Sequence, residues 1–285
     1  MENLLQVVQE IETTGETSVP PLNNIKQHYS VIKDPSNDFC KEGSCQKYQM
    51  IFLVKSFAGN FAQRKVIRKT WGGQTNLNIK TIFVVSRLGD VEEYLEVESK
   101  RHKDILQFDL LDSYENLVYK TIFTMLWLEK HPINTHFLHF IDDDRIVNTK
   151  NVYNFSLSSI SSSGMEMIGY KVIFGTPYRD SSSKWYISLD QYPFDFWPPY
   201  LIGGTILTNI EVVKKIAKSF SYTRIIPIED AFIGIIAKLL NINVIHHSGF
   251  LPHFQPASKL TDKLSSPGYN SYHGQLEGWK QINSK

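Results

Sequence analysis

Three consecutive carboxylates, Asp142-Asp143-Asp144, stand directly behind the apolar run Phe137-Leu138-His139-Phe140-Ile141. Crowding like charges at the end of a buried strand costs free energy unless water or a cation offsets the repulsion. In an extended segment Asp142 and Asp144 project to one side. Hard oxygen ligands on one side suit Mn²⁺ or Mg²⁺, ions that bridge protein carboxylates to substrate phosphates. A solvated acidic turn is the plain alternative, and the triplet alone leaves the two readings about even.

Other residues carry chemistry of their own. Arg64 and Arg68 stand four apart on a helical segment and share a face. Two guanidinium forks there can hold a pyrophosphate, although the neighbouring Lys65 and Lys69 fit a solvated basic face equally well. Glu229-Asp230 opens a helix just behind Pro227. Acids in a first turn are favoured by the helix dipole, which is their default role; the functional alternative is a general base at a strand–helix junction. Trp197-Pro198-Pro199-Tyr200 leads into Gly203-Gly204, a stiff approach followed by residues that permit close contact with a ligand. Sugars stack on aromatic faces, so Trp185, Tyr186, Trp197 and Tyr200 are acceptor-site candidates, with ordinary packing as the alternative. His246, His247 and His253 follow the last strand, and one of them can complete a metal shell begun by the acids.

Elements that must position these residues alternate. Met50 to Val54, Ile79 to Ser86 and Ile105 to Phe108 read as strands, with helices from Asn60 to Trp71, Val91 to His102 and Tyr114 to Lys130 between and after them. Asn60 and Gln63 form a capping pair for the first of these. Beyond the acidic strand come a Ser-rich loop over 156–163, strands at Val172–Thr176 and Ile202–Thr208, a helix capped by Asn209, another over Glu229–Leu240, and a strand at Val244–His246. This alternation predicts an α/β domain with a mainly parallel sheet and helices on both faces, whose ligands bind beyond the carboxyl ends of the strands. Residues 1–46 read as an extension with one short helix, Asn3 to Glu12, residues 47–255 as the catalytic domain, and 256–285 as a peripheral tail.

The chain has 285 residues, 42% hydrophobic and 21% charged, which describes a globular protein. A net charge of +1 argues against a dedicated nucleic-acid binder. No stretch is long and apolar enough to span a bilayer or act as a leader. The two cysteines, Cys40 and Cys45, fit neither a zinc knuckle nor a redox pair; a local disulfide and two free thiols are equally compatible with them. One N-glycosylation sequon begins at Asn154.

In order, Arg64 through Gly72, Asp112 through Thr121, the triple Asp, Lys184-Trp185-Tyr186, Tyr192-Pro193, Pro198-Pro199-Tyr200 with Gly203-Gly204, and Glu229-Asp230 before Gly234 resemble the β-1,3-glycosyltransferase family. That family contains the β-1,3-galactosyltransferases and β-1,3-N-acetylglucosaminyltransferases, and the texture is that of a divergent nematode-type member. The resemblance spans roughly residues 48–255. It implies a GT-A fold, a UDP-sugar donor, Mn²⁺ (with Mg²⁺ as the alternative) and inverting transfer of galactose or N-acetylglucosamine in β-1,3 linkage. The acceptor would be an oligosaccharide, glycoprotein or glycolipid. It assigns Asp142, Asp144 and His253 to the metal, Arg64, Arg68, Asp142 and Asp143 to the nucleotide side, and Asp230 to the base. Trp185, Tyr200, Gly203, Gly204 and Glu229 fall to the acceptor. It also implies the Golgi, where the family is membrane-anchored; lacking that anchor, the sequence reads as a truncated or soluble form. Leu201-Ile202 stand where the family commonly has Cys-Ser, and Arg145 where an apolar residue is usual. A non-catalytic relative acting as a glycan-binding or chaperone module is the competing reading.

Overall fold

The β-branched and aromatic run Tyr48–Lys55 forms the first central strand, and its side chains alternate between two cores. Met50, Phe52 and Val54 enter one, Ile51 and Leu53 the other. A strand buried on both faces reads as a continuous apolar run for this reason. The computed structural model describes residues 3–41, 44–159, 161 and 164–283.

In chain order the strands are β1 (Val31–Lys33), β2 (Cys40–Lys41), β3 (Ser44–Cys45), β4 (Tyr48–Lys55), β5 (Ile79–Arg87), β6 (Ile105–Leu111), β7 (Thr135–Asp142), β8 (Ile146–Val147), β9 (Glu166–Val172), β10 (Tyr200–Thr208), β11 (Asn243–His246) and β12 (Ser265–Ser266). The helices are α1 (Leu4–Thr14), α2 (Ile25–His28), α3 (Phe61–Lys69), α4 (Glu92–His102), α5 (Leu117–Lys130), α6 (Thr149–Ser159), α7 (Ile210–Ser219), α8 (Glu229–Leu239) and α9 (Tyr272–Asn283). Eight strands make one sheet in the order β1-β6-β5-β4-β7-β10-β9-β11. The run β6-β5-β4-β7 is parallel, as is β9-β11, while β10 pairs antiparallel with both neighbours and β1 closes the β6 edge antiparallel. One core holds side chains of α1, α5, α7 and α8, the other those of α3, α4, α6 and α9. The α/β architecture expected from the alternation, a mainly parallel sheet covered on both faces, is the one present.

Local differences have local causes. Asn209 caps α7 as expected, its Oδ1 accepting from Val212 N at 3.0 Å. Asn60 does not cap α3; its amide instead donates to Asp143 Oδ2 at 2.9 Å. The strand expected at Val172–Thr176 is β9, which ends at Val172. Of the loop expected over 156–163, residues 156–159 belong to α6, and 160, 162 and 163 lie outside the described residues. Both flanking segments pack on this one body: β1 extends the sheet, α1 lies against α7, and α9 lies against α3. Within 256–283, Gln275 is fully buried, so this segment is more than a peripheral tail. Cys45 is half of a disulfide, and the β2–β3 register sets Cys40 opposite it. Among the described residues no helix is long and apolar enough to cross a membrane.

Candidate active site

The carboxyl ends of β4 and β7 lie side by side, with Lys55 in register with Asp142. Lys55 Nζ is 3.2 Å from Asp142 Oδ1, and the Asp142 side chain keeps 39% of its surface exposed, so one oxygen can still meet a ligand. The chain then turns tightly, Arg145 N donating to Asp142 O at 3.2 Å. This turn replaces the extended geometry expected of the triplet and sends Asp143 inward. Its Oδ2 accepts from Ser56 Oγ at 2.6 Å and from Asn60, and burial raises its carboxyl above the usual range against these bonds. Asp143 is therefore corrected from a nucleotide contact to an anchor of the turn. Asp144 is half-buried and also raised, by burial and then by Asp142, with Arg145 opposing and the Gly268 N–H donating to it.

Helix α8 delivers the second acidic pair to the same place. Glu229 is buried: Lys55 Nζ donates to its Oε1 at 2.8 Å, and the Thr121 hydroxyl donates to the same oxygen. Burial works against a charged Lys55, but Asp142, Glu229 and Asp230 outweigh it and raise its pKa. Glu229, expected at the acceptor, is thus corrected to the partner of a buried lysine. Asp230 projects elsewhere, and among the described residues no cation forms an ion pair with it. Burial, reinforced by the Glu229 charge, pushes its carboxyl up to about 7, opposed by the Gly203 N–H and by Lys55. Leu201, Ile206, Ile233 and Ala237 line a dry recess against it, which accounts for the desolvation.

Gly203 and Gly204 occupy an irregular stretch of β10, where the pairing with β9 shifts between Leu201 and Ile206. A Cβ on Gly203 would stand 2.2 Å from Asp230 Oδ1, and one on Gly204 2.9 Å from Asp142 Oδ2 and 3.2 Å from Arg145 Nη1. The two glycines are the floor over which both acids approach. Arg145 is buried, its Nη2 donating to Leu251 O at 2.6 Å while its Nε has no hydrogen-bond partner among the described residues. Burial lowers its pKa to about 10 against the pull of Asp142 and Asp144.

An aromatic wall adjoins the acids. Trp185 is 40% exposed, and its ring centroid lies 5.3 Å from that of Tyr178. The Tyr114 pKa is raised by burial, with smaller contributions from Asp230, Glu229 and Asp142, which sets this ring beside the acid pair. Tyr200 is half-buried and raised by burial, then by Asp230 and Tyr178. Tyr200 thus lies within reach of the Asp230 charge and Trp185 is exposed beside Tyr178, whereas Trp197 is buried, its ring centroid 4.1 Å from that of Tyr192. Tyr114 and Tyr178 were not singled out; the signal for Tyr114 lay inside the Asp112-to-Thr121 segment.

The arginines need correction. Arg64 is fully buried and spends its donors on Glu98, Ser56 Oγ and the carbonyls of Phe57 and Ala58. Arg68 is paired with Glu98 at 2.6 Å and Asp104 at 2.7 Å. Both forks are engaged by protein acids; Arg64 also braces the loop after β4, and Arg68 shares its partner Glu98. Of the late histidines, His246 Nδ1 accepts from Lys171 N and His247 Nδ1 from Gly249 N. His253 is exposed on the segment between Leu251, bound to Arg145, and Phe254, whose ring lies 5.4 Å from that of Tyr269. Among the described residues no three His, Cys, Asp or Glu side chains converge tightly enough to cage an ion. Asp142 and Asp144 do fit a hard cation that takes its remaining oxygens from a substrate diphosphate, the usual habit of Mg²⁺ sites. Asp144, raised in part by the Asp142 charge and sharing Arg145 with it, gains from such an ion.

A galactosyltransferase family model matches residues 62–248. Beta-1,3-galactosyltransferase brn of Drosophila melanogaster is 33% identical over 225 residues, covering 78% of this chain and 69% of that protein. Beta-1,3-galactosyltransferase bre-5 of Caenorhabditis elegans is 30% identical over 260 residues, covering 87% and 79%. Among solved structures, galactosyltransferase LgtC with donor and acceptor sugar analogues is a distant likeness, with a TM-score of 0.42 at 12% identity over 73% of this chain and 77% of that one.

Proposed function

Because the chain belongs to the galactosyltransferase family, we propose that it is an inverting β-1,3-hexosyltransferase. It moves galactose, with N-acetylglucosamine as the alternative, from a UDP-sugar to a glycan acceptor, and residues 47–255 form its catalytic unit. The observation that carries this reading is the contrast between two neighbouring acids. Glu229 is neutralised by Lys55, whereas Asp230 is held near neutrality in its pKa beside an open aromatic wall. A base poised near the working pH combines the correct protonation state with useful driving force.

In this mechanism the acceptor ring stacks on Trp185, with Tyr114, Tyr178 and Tyr200 completing the wall. The acceptor hydroxyl points at Asp230, which takes its proton as the oxygen bonds to the anomeric carbon. The bond from that carbon to the diphosphate breaks on the opposite face, and the electron pair leaves with UDP. Asp142 and Asp144 would hold Mn²⁺ or Mg²⁺, which supplies charge neutralisation for the leaving diphosphate when bound. Lys55 keeps Asp142 in place from behind. The Golgi lumen is the proposed compartment, and the Cys45 disulfide fits an oxidising one.

Comparing Asp230→Asn with Glu229→Gln tests the assignment. Asp230→Asn should bind UDP with metal normally and lose transfer by on the order of 10²–10⁴, the usual contribution of a general base. Near-normal transfer by folded Asp230→Asn would overturn the choice of base. Absence of transfer by the wild-type protein across a UDP-sugar panel would return it to the binding-module reading.

A further inference from the structure

Lys184 stands on the aromatic wall with its charge unspent. Its Nζ lies 4.5 Å from the ring centroid of Trp185 and 5.3 Å from that of Tyr114. The side chain is exposed, and no carboxylate or carbonyl among the described residues pairs with it. Contacts with ring faces orient an ammonium without neutralising it. Here two rings face the same ammonium, which sets it over the junction between them. The three acids below, Asp142, Glu229 and Asp230, do not satisfy it: Lys55 pairs with the first two, and Asp230 is bonded to Gly203 N–H. A positioned, unpaired donor group at the rim of a stacking surface fits an oxyanion carried by whatever stacks or passes there.

We propose that Lys184 is a specificity-determining residue that recognises an oxyanion of the substrate at the mouth of the site. The oxyanion is either an acidic substituent on the acceptor glycan, a carboxylate or sulfate, or the diphosphate of the donor. This inference rests on the transferase reading above. Lys184 adds a charge-assisted contact at the rim of the wall, so it selects among substrates without taking part in the proton transfer.

The test uses the whole chain carrying Lys184→Met, which keeps the stem over the rings and removes the charge, and Lys184→Arg, which restores it. UDP and UDP-galactose affinities are measured by calorimetry with Mn²⁺. Initial rates are measured on two acceptors of the same size, one neutral and one ending in a uronic acid. Loss of one charge-assisted contact corresponds to a change of roughly tenfold to a hundredfold. If the acceptor carries the oxyanion, Lys184→Met raises KM for the acidic acceptor by that factor. The neutral acceptor, kcat and UDP affinity stay as in the wild type, and Lys184→Arg restores the preference. If the donor carries it, UDP affinity falls by that factor and both acceptors suffer alike. Unchanged UDP affinity together with an unchanged acidic-to-neutral ratio overturns the proposal. A wild-type protein that binds UDP but transfers to neither acceptor overturns the transferase reading instead, and the calorimetry, extended to direct titration of both acceptors, still decides whether Lys184 meets an oxyanion.

Discussion

At the scale of single residues, the two acidic pairs divide their labour by what faces each side chain. Asp230, raised to about 7, should impose an acid limb on the transfer rate with an apparent pKa near that value. Activity then falls as pH drops below it, because the base must be unprotonated. Stability moves the other way. A carboxyl held above its ordinary 3.8 contributes stability that is complete below that value and lost as pH rises through about 7. Thermal unfolding of the wild type against Asp230→Asn between pH 4 and pH 8 checks the sign: the variant should be the less pH-sensitive over that window. Asp144 carries a different prediction. Asp144→Asn keeps the shape and the turn, so Mn²⁺-dependent UDP binding should collapse with little change in melting temperature, and unchanged affinity by calorimetry would remove Asp144 from the metal site.

At the scale of elements, the loop between β4 and α3 is the part most heavily braced. Ala58 N donates to Asp112, Lys120 Nζ reaches Ser56 O, and Arg64 holds the Phe57 and Ala58 carbonyls. Arg64 is itself pinned by Glu98, which Arg68 shares. Arg64→Ala leaves Glu98 with Arg68 alone and strips the Phe57 and Ala58 carbonyls of a donor, and each buried polar group left unsatisfied typically costs about 1–3 kcal/mol. The expected outcome is a large fall in melting temperature. Arg68→Ala, more exposed and leaving Arg64 on Glu98, should destabilise less and leave UDP affinity within about twofold, since the guanidinium faces protein acids rather than ligand. A selective loss of UDP binding by a fully stable Arg68→Ala protein would revive the phosphate clamp.

At the scale of the whole molecule, the segment that follows the last strand of the main sheet is a structural part of the site's support. Gln275 on α9 accepts from Trp71 Nε1 at 3.1 Å and donates to Asp143 O, which ties the last helix to the acidic turn. Tyr269 N donates to Asp144 O at 2.7 Å. Gln275→Ala leaves two buried polar groups without partners, at about 1–3 kcal/mol each. Such a variant should melt well below the wild type and bind Mn²⁺–UDP more weakly through the loosened turn. Unaltered melting would show that water replaces the glutamine.

Alternating apolar runs and capped helical segments were enough to establish the α/β class, most element positions and the acids at a strand end, because burial period and turn chemistry are local properties of the chain. That Gly203 and Gly204 permit a close approach was legible from residue type, and Asp230 and Asp142 do come up against them. What each carboxylate meets within the protein, by contrast, was decided only by the tertiary structure. Asp143 and Glu229 read like their neighbours, yet Ser56 and Asn60 take one inward, and Lys55 and Thr121 bind the other. The Arg64 and Arg68 forks looked free because their partners, Glu98 and Asp104, lie on and just after a different helix. A charged side chain's role depends on what neutralises it, and those partners come from distant points of the chain that only packing brings within reach.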